Sequence, residues 1–122
     1  HENELAYASY DTYPVSKDHC LIIPKRHIKD YFDLSPKELI ACNELIKVMK
    51  NEIISKDKLV KGFNIGTNIG KSSGQSIFHC HIHLIPRREG DVKNPQGGVR
   101  SVIPSKQHYK REKKAVNKDK LT

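Results

Sequence analysis

Between Phe78 and Leu84 the chain reads FHCHIHL, with imidazole and apolar side chains in strict alternation. Successive side chains of a strand point to opposite faces, so residues i, i+2 and i+4 share one. The spacing therefore predicts a half-buried strand with His79, His81 and His83 on one face and Phe78, Cys80, Ile82 and Leu84 on the core side. On a helix the three imidazoles would fan over about 200° and could not converge.

A lone strand has no stability, so its partners must lie elsewhere. The short β-prone runs ELAYASYD (4–11), HCLIIPK (19–25) and KGFNIGTN (61–68) are the candidates. HIKDYFDL (27–34) reads as a short helix or an irregular connection. One long helix is predicted over about 36–54, because Ser35 can cap it, Pro36 suits its first position and Glu38 completes a capping box. Leu39, Cys42, Leu45, Ile46, Met49 and Ile53 then recur at helical spacing, a stripe suited to lying on a sheet. Strands, one helix, then strands predict an α+β fold with a mainly antiparallel sheet of about five strands, one long helix and a short one.

At 122 residues the chain has the size of one domain. We expect that domain over 1–104, the Gly- and Pro-bearing stretch 92–100 within it being loop. A basic tail follows at 105–122, where seven Lys and Arg against two acids carry +5 of the net +8. Such a run is usually solvated; weak attraction to nucleic acid is its functional alternative. No apolar run approaches the roughly 20 residues that span a bilayer, and the start lacks a signal-peptide layout, so no membrane partner and a cytoplasmic location are expected. Cys20, Cys42 and Cys80 are odd in number, lack CxxC spacing and sit in apolar patterns, which predicts buried free thiols.

Two chemistries suit a row of imidazoles. Alternate histidines on a strand can share a zinc ion, with His19 as a further ligand. Alternatively one neutral imidazole attacks phosphorus while its neighbours orient it. The surroundings favour phosphorus: Gly74 permits a close backbone approach, Gln75 and Ser76 offer uncharged donors, and few carboxylates lie near enough in sequence to complete a metal site. Arg87 and Arg88 read as a solvated pair with some scope to meet phosphate, and His27 and His108, outside any cluster, as surface or locally bonded residues. Strand alternation puts Cys80 on the opposite face and removes it as a nucleophile.

HCHIHLI, joined to PVSKDHCLIIPKRH and to GQS before the triad, resembles the histidine triad (HIT) superfamily of nucleotide hydrolases and transferases. The resemblance implies a HIT-like fold and assigns His81 as the nucleophile that forms a nucleotidyl-histidine intermediate. His79 and His83 would support it, and His19 would hydrogen-bond within the cluster. It further implies nucleotide contacts from Asn68, Gly74, Gln75 and Ser76, and ribose binding by Asp11. Substrates would be purine nucleotide conjugates, such as dinucleoside polyphosphates or nucleoside phosphoramidates. No cofactor is required in the family and no metal ligand is assigned; homodimers are common. The chain opens at HENEL without the CxxC segment frequent in relatives, so a structural zinc held by N-terminal cysteines is not expected. His83 argues against the galactose-1-phosphate uridylyltransferase branch, which carries Gln there, and PRREGD looks more like the dinucleoside-polyphosphate hydrolase and bacterial HIT branches. Two other readings compete: a non-catalytic nucleotide-binding or interaction protein, and a metal-dependent hydrolase built on the histidine cluster.

Overall fold

The apolar runs pair as their composition suggests. A computed structural model describes residues 1–110 and divides them into two compact units, His1–Asp91 and a second beginning at Val92. In the first unit, β1 (Ala6–Tyr10), β2 (Cys20–Pro24), β3 (Val60–Gly66) and β4 (Ile82–Arg88) form one antiparallel sheet in the order β1-β2-β4-β3. The sheet thus has four strands rather than about five. The residues ahead of β1 only curl back on it, through a single bridge between Glu2 and Tyr7 and a bond from the Ala8 N–H to the His1 carbonyl.

β2 and β4 occupy the middle, and both alternate buried with half-buried residues. Cys20, Ile22, Ile82 and Leu84 face the core, and the opposite face carries Leu21 and, directly across from it, His83. Pro86 is tolerated in β4 because it lies past the last β2 pairing, Cys20 to Leu84. β3 irregularly skips one residue between Val60 and Gly62, and among the described residues no strand pairs with its far side.

The long helix α1 runs over Pro36–Lys56 and packs against β1 and β2. Its capping box is complete: the Glu38 N–H donates to the Ser35 hydroxyl at 3.2 Å, and the Ser35 N–H donates to Glu38 Oε1 at 2.9 Å. Glu38 also receives Arg26 through two bonds of 3.0 and 2.7 Å, tying the helix start to the segment after β2. Those bonds, with the Ser35 N–H, hold its carboxyl down at about 2. Ala41, Cys42, Leu45, Met49 and Ile53 form the buried stripe and close the core over Ala6, Cys20, Ile22, Val60, Ile82 and Leu84. The expected short helix is a single 3-10 turn at Tyr31–Asp33, capped by Asp30. All three cysteines are buried, free thiols.

In the second unit, the stretch read as loop contributes to a 3-10 turn at Gly98–Val102, followed by another at Pro104–Lys106. Gly97 sits at φ +89°, and a side chain there would collide with the Gln107 carbonyl, so the turn needs glycine. Arg100 donates to the Lys106 carbonyl and lies over the Tyr109 ring. The expected boundary at 104/105 falls within this unit, and residues 111–122, most of the basic tail, lie outside the described residues.

Candidate active site

β4 begins only at Ile82, so of the three alternating histidines His83 alone lies in the strand. The register explains why. Residues ahead of Ile82 would face β3 beyond its end at Gly66 and β2 at Pro24, which has no N–H to give. Other groups hold the segment instead. The Cys80 N–H donates to the Ile28 carbonyl at 2.9 Å, and the Thr67 hydroxyl donates to the His81 carbonyl at 2.7 Å. The in-and-out alternation survives without the ladder: Cys80 is buried while His79 and His81 are half-buried. Phe78, expected in the core, is 45% exposed, with the Lys29 ammonium 5.7 Å from its ring centroid.

Each imidazole is fixed by a partner whose chemistry settles where its proton sits. The His81 Nδ1–H donates to the His79 carbonyl at 2.9 Å. A carbonyl can only accept, so the neutral ring keeps its lone pair on Nε2. The His79 Nε2–H donates to the Pro24 carbonyl at 2.9 Å, leaving its Nδ1 to accept from His27 Nδ1 at 3.1 Å. On the other side the Val15 N–H donates to His19 Nδ1 at 3.1 Å. His19 therefore carries its proton on Nε2 and donates it to His83 Nδ1 at 2.9 Å. His83 is left with an N–H at Nε2, its ring centroid 5.2 Å from that of His81. Burial pushes the pKa of both His19 and His83 below the usual imidazole value, which keeps this relay neutral; nearby Asp11 opposes the shift in each.

Asp11 accepts the Tyr13 N–H at 2.8 Å through Oδ1, and its Oδ2 lies 3.6 Å from His19 Nε2. The structure thus brings the side chains of His19, His81, His83 and Asp11 together, and His79 joins them through its main-chain carbonyl while its ring turns to Pro24 and His27. Gly74 ends a 3-10 turn at Lys71–Ser73 in the left-handed conformation, φ +90°. Gln75 is buried: its amide donates to the Lys29 and Ile77 carbonyls and its oxygen accepts the Gly70 N–H. It braces the loop, while Ser76 and Asn68 stand exposed on either side of that turn. Arg87 pairs with Asp91 and Asn64, and Arg88 with Asp57, so neither is a loose cation. Burial drives the Cys80 thiol up to about 11, which makes it inert at neutral pH.

Sequence reading missed His27, Thr67 and the Val15 N–H. Nothing in a lone histidine, a threonine after a strand or a backbone amide marks it as a partner before the chain is folded. His108 donates to the Asn94 carbonyl in the second unit.

Two groupings invite the question of metal. Asp11, His19 and His83 are the one trio of suitable donors gathered among the described residues. For His19 Nε2 to ligate, its proton would have to move to Nδ1, where the Val15 N–H already points, so the trio fits a proton relay better than a cation. His27 and His79 face each other at 3.1 Å, near the spacing of about 3.3 Å for two nitrogens on a tetrahedral zinc, but supply only two of four ligands.

Comparison with known proteins gives the family. The family model described as the HIT domain matches residues 1–90. An uncharacterised HIT-like protein of Methanocaldococcus jannaschii is 37% identical over 91 residues, 75% of this chain and 69% of its own length. An Arabidopsis thaliana adenylylsulfatase is 37% identical over 75% of this chain, and a Mycobacterium tuberculosis AP-4-A phosphorylase 38% identical over 73%; the chain spans 46% of the length of each. A hypothetical histidine triad nucleotide-binding protein of Sulfolobus tokodaii superposes with a TM-score of 0.69 at 41% identity, covering 75% of this chain and 60% of the other. A HIT family protein of Bacillus anthracis gives 0.71 at 30% identity, covering 99% and 77%. With the family model matched over 90 of its 122 residues, the chain belongs to the HIT family.

Proposed function

We propose that the protein is a nucleotidyl hydrolase or transferase that cleaves at the α-phosphate of purine nucleotide conjugates, with His81 as nucleophile. One observation carries the reading: the His81 Nδ1–H donates to the His79 carbonyl, which leaves the lone pair on Nε2 of a half-buried ring. A neutral imidazole with a directed lone pair is what attack on phosphorus requires.

Nε2 forms a bond to the α-phosphorus as the bond to the leaving group breaks, and the leaving group departs with that electron pair and takes up a proton. Water or another acceptor then attacks phosphorus, breaks the N–P bond and returns the imidazole. Neighbouring His83, with its proton on Nε2, offers a donor to the phosphoryl or leaving-group oxygen. Ser76 and Asn68 are the exposed donors on the flanking loop, Gly74 and Gln75 shape that loop, and Asp11 reaches the ribose. No step uses a metal or redox cofactor. The names of two relatives, an adenylylsulfatase and an AP-4-A phosphorylase, support nucleotide conjugates as the substrate class, within which we propose dinucleoside polyphosphates or nucleoside phosphoramidates.

Incubation with diadenosine polyphosphates and adenosine phosphoramidates tests the reading. Release of AMP or its acceptor adduct by the wild type, lost in His81→Ala, is expected; equal turnover by the variant, or tight mononucleotide binding with no turnover of any conjugate, contradicts it.

We further infer a homodimer across the free edge of β3. Beside it, Leu39, Ile40, Ile46, Ile65 and Ile82 line a groove of about 470 Å³, and Ile40 and Ile65 are more than half exposed. An unpaired edge strand flanked by apolar side chains suits a second copy of itself, because antiparallel pairing about a twofold axis satisfies both edges at once.

A further inference from the structure

The relay that orients the site starts from a backbone amide, so whatever holds that amide belongs to the machinery. Val15 lies in the connection between β1 and β2, which has no regular structure of its own. Its N–H, which only an unprotonated Nδ1 can accept, directs the His19 proton to Nε2, on which the Asp11 carboxylate also bears at 3.6 Å, and so sets which nitrogen of His83 is left to donate. Three contacts fasten the residues that follow it. The Ser16 hydroxyl donates to the Pro86 carbonyl at 2.7 Å, the Arg88 Nη1–H donates to the Lys17 carbonyl at 3.1 Å, and the Asp18 carboxylate lies 3.3 Å from the Lys56 ammonium and 3.9 Å from Arg88 Nη2. Asp18 itself stands in the left-handed region at φ +70°, a conformation that local contacts must maintain. The His19 N–H donates to the Ser16 carbonyl, which closes the turn on the histidine.

Arg88 is the common point. Its Nε and Nη2 both donate to Asp57 Oδ2, at 3.1 and 2.9 Å, so the guanidinium is anchored at the C-terminal cap of α1 while its remaining nitrogen holds Lys17. The planar fork serves both partners at once, and its side chain is only 18% exposed.

We propose that Arg88 is a positioning residue for nucleotidyl transfer, acting through the 15–18 turn to keep the Val15 N–H on His19 Nδ1. It touches no reacting atom. The inference rests on the function proposed above, but its first readout does not depend on any substrate. Long-range proton–nitrogen correlation spectra of the imidazoles in the folded protein report the tautomer of each ring. In the wild type His19 is expected as a single Nε2–H tautomer; in Arg88→Met a mixture with the Nδ1–H form is expected. Arg88→Lys, which can keep the charge on Asp57 but cannot fork to Lys17, should not restore it. On a nucleotide conjugate, kcat should fall about ten- to a hundredfold with KM within about twofold, the signature of a misplaced catalytic group. A folded Arg88→Met with the wild-type tautomer, whatever its activity, overturns the proposal. If Arg88→Met does not fold, Ser16→Ala removes one fastening of the same turn, and an unchanged His19 tautomer there overturns it equally. A shifted tautomer in a protein whose wild type turns over no conjugate would uphold the positioning role and reject the proposed function.

Discussion

At the scale of single residues the site is a set of proton assignments. His81 keeps its lone pair because a carbonyl holds its other nitrogen, and His83 keeps a donor because His19, fixed by Val15, fills its acceptor. The arrangement has a definite pH dependence. Burial lowers the pKa of His19 and His83 in the folded protein, so between that lowered value and about 6.5 the unfolded chain binds protons that the native state does not. Stability therefore falls as the pH drops through that window and levels off below it. A His83 protonated on both nitrogens can no longer accept from His19, so the relay fails over the same range. Urea unfolding midpoints between neutral pH and pH 5, beside an NMR titration of both rings, check this; either ring titrating above 6.5 contradicts it. The shared face of the three histidines was legible in FHCHIHL because alternation is a strong local pattern. The partners were not, because Pro24, Val15 and His27 reach the imidazoles, and Thr67 the His81 carbonyl, only after β2 and β4 have paired.

At the scale of elements, the helix was the most legible and the histidine strand the least. Ser35, Pro36, Glu38 and the apolar stripe agree with one another, and α1 exceeds its predicted end by only two residues, where the Asp57 N–H closes on the Ile53 carbonyl. The histidine segment carried a strand's pattern without a strand's partners, so β4 began three residues after His79. Periodicity reports which face is buried; pairing depends on where the neighbours end. Two substitutions separate local from tertiary contributions to α1. Ser35→Ala removes the cap and should cost about 1 kcal/mol. Ile53→Ala leaves a hole beneath a fully buried side chain and should cost about 2–5 kcal/mol. Equilibrium denaturation measures both; a larger loss for Ser35→Ala than for Ile53→Ala would contradict the packing described.

At the scale of the molecule, one sheet divides the labour. One face is closed by α1, whose Ile53 is fully buried along with Ile22 and Leu84 of the sheet, and the other presents His83 and the relay. The edge at β3 is open, and placing a charge there by Ile65→Lys should dissociate the inferred dimer, a shift that light scattering after size exclusion reads directly; a monomeric wild type contradicts the dimer. Among the described residues no helix is long and apolar enough to cross a membrane. The central claim is that His81 Nε2 becomes bonded to phosphorus. Rapid quench of the enzyme with an adenosine phosphoramidate, followed by intact-mass and peptide analysis, tests it most directly. A transient adenylyl adduct on His81, absent in His81→Ala, is the predicted result; turnover with no covalent adduct under conditions that preserve phosphohistidine, or an adduct on another residue, would contradict it.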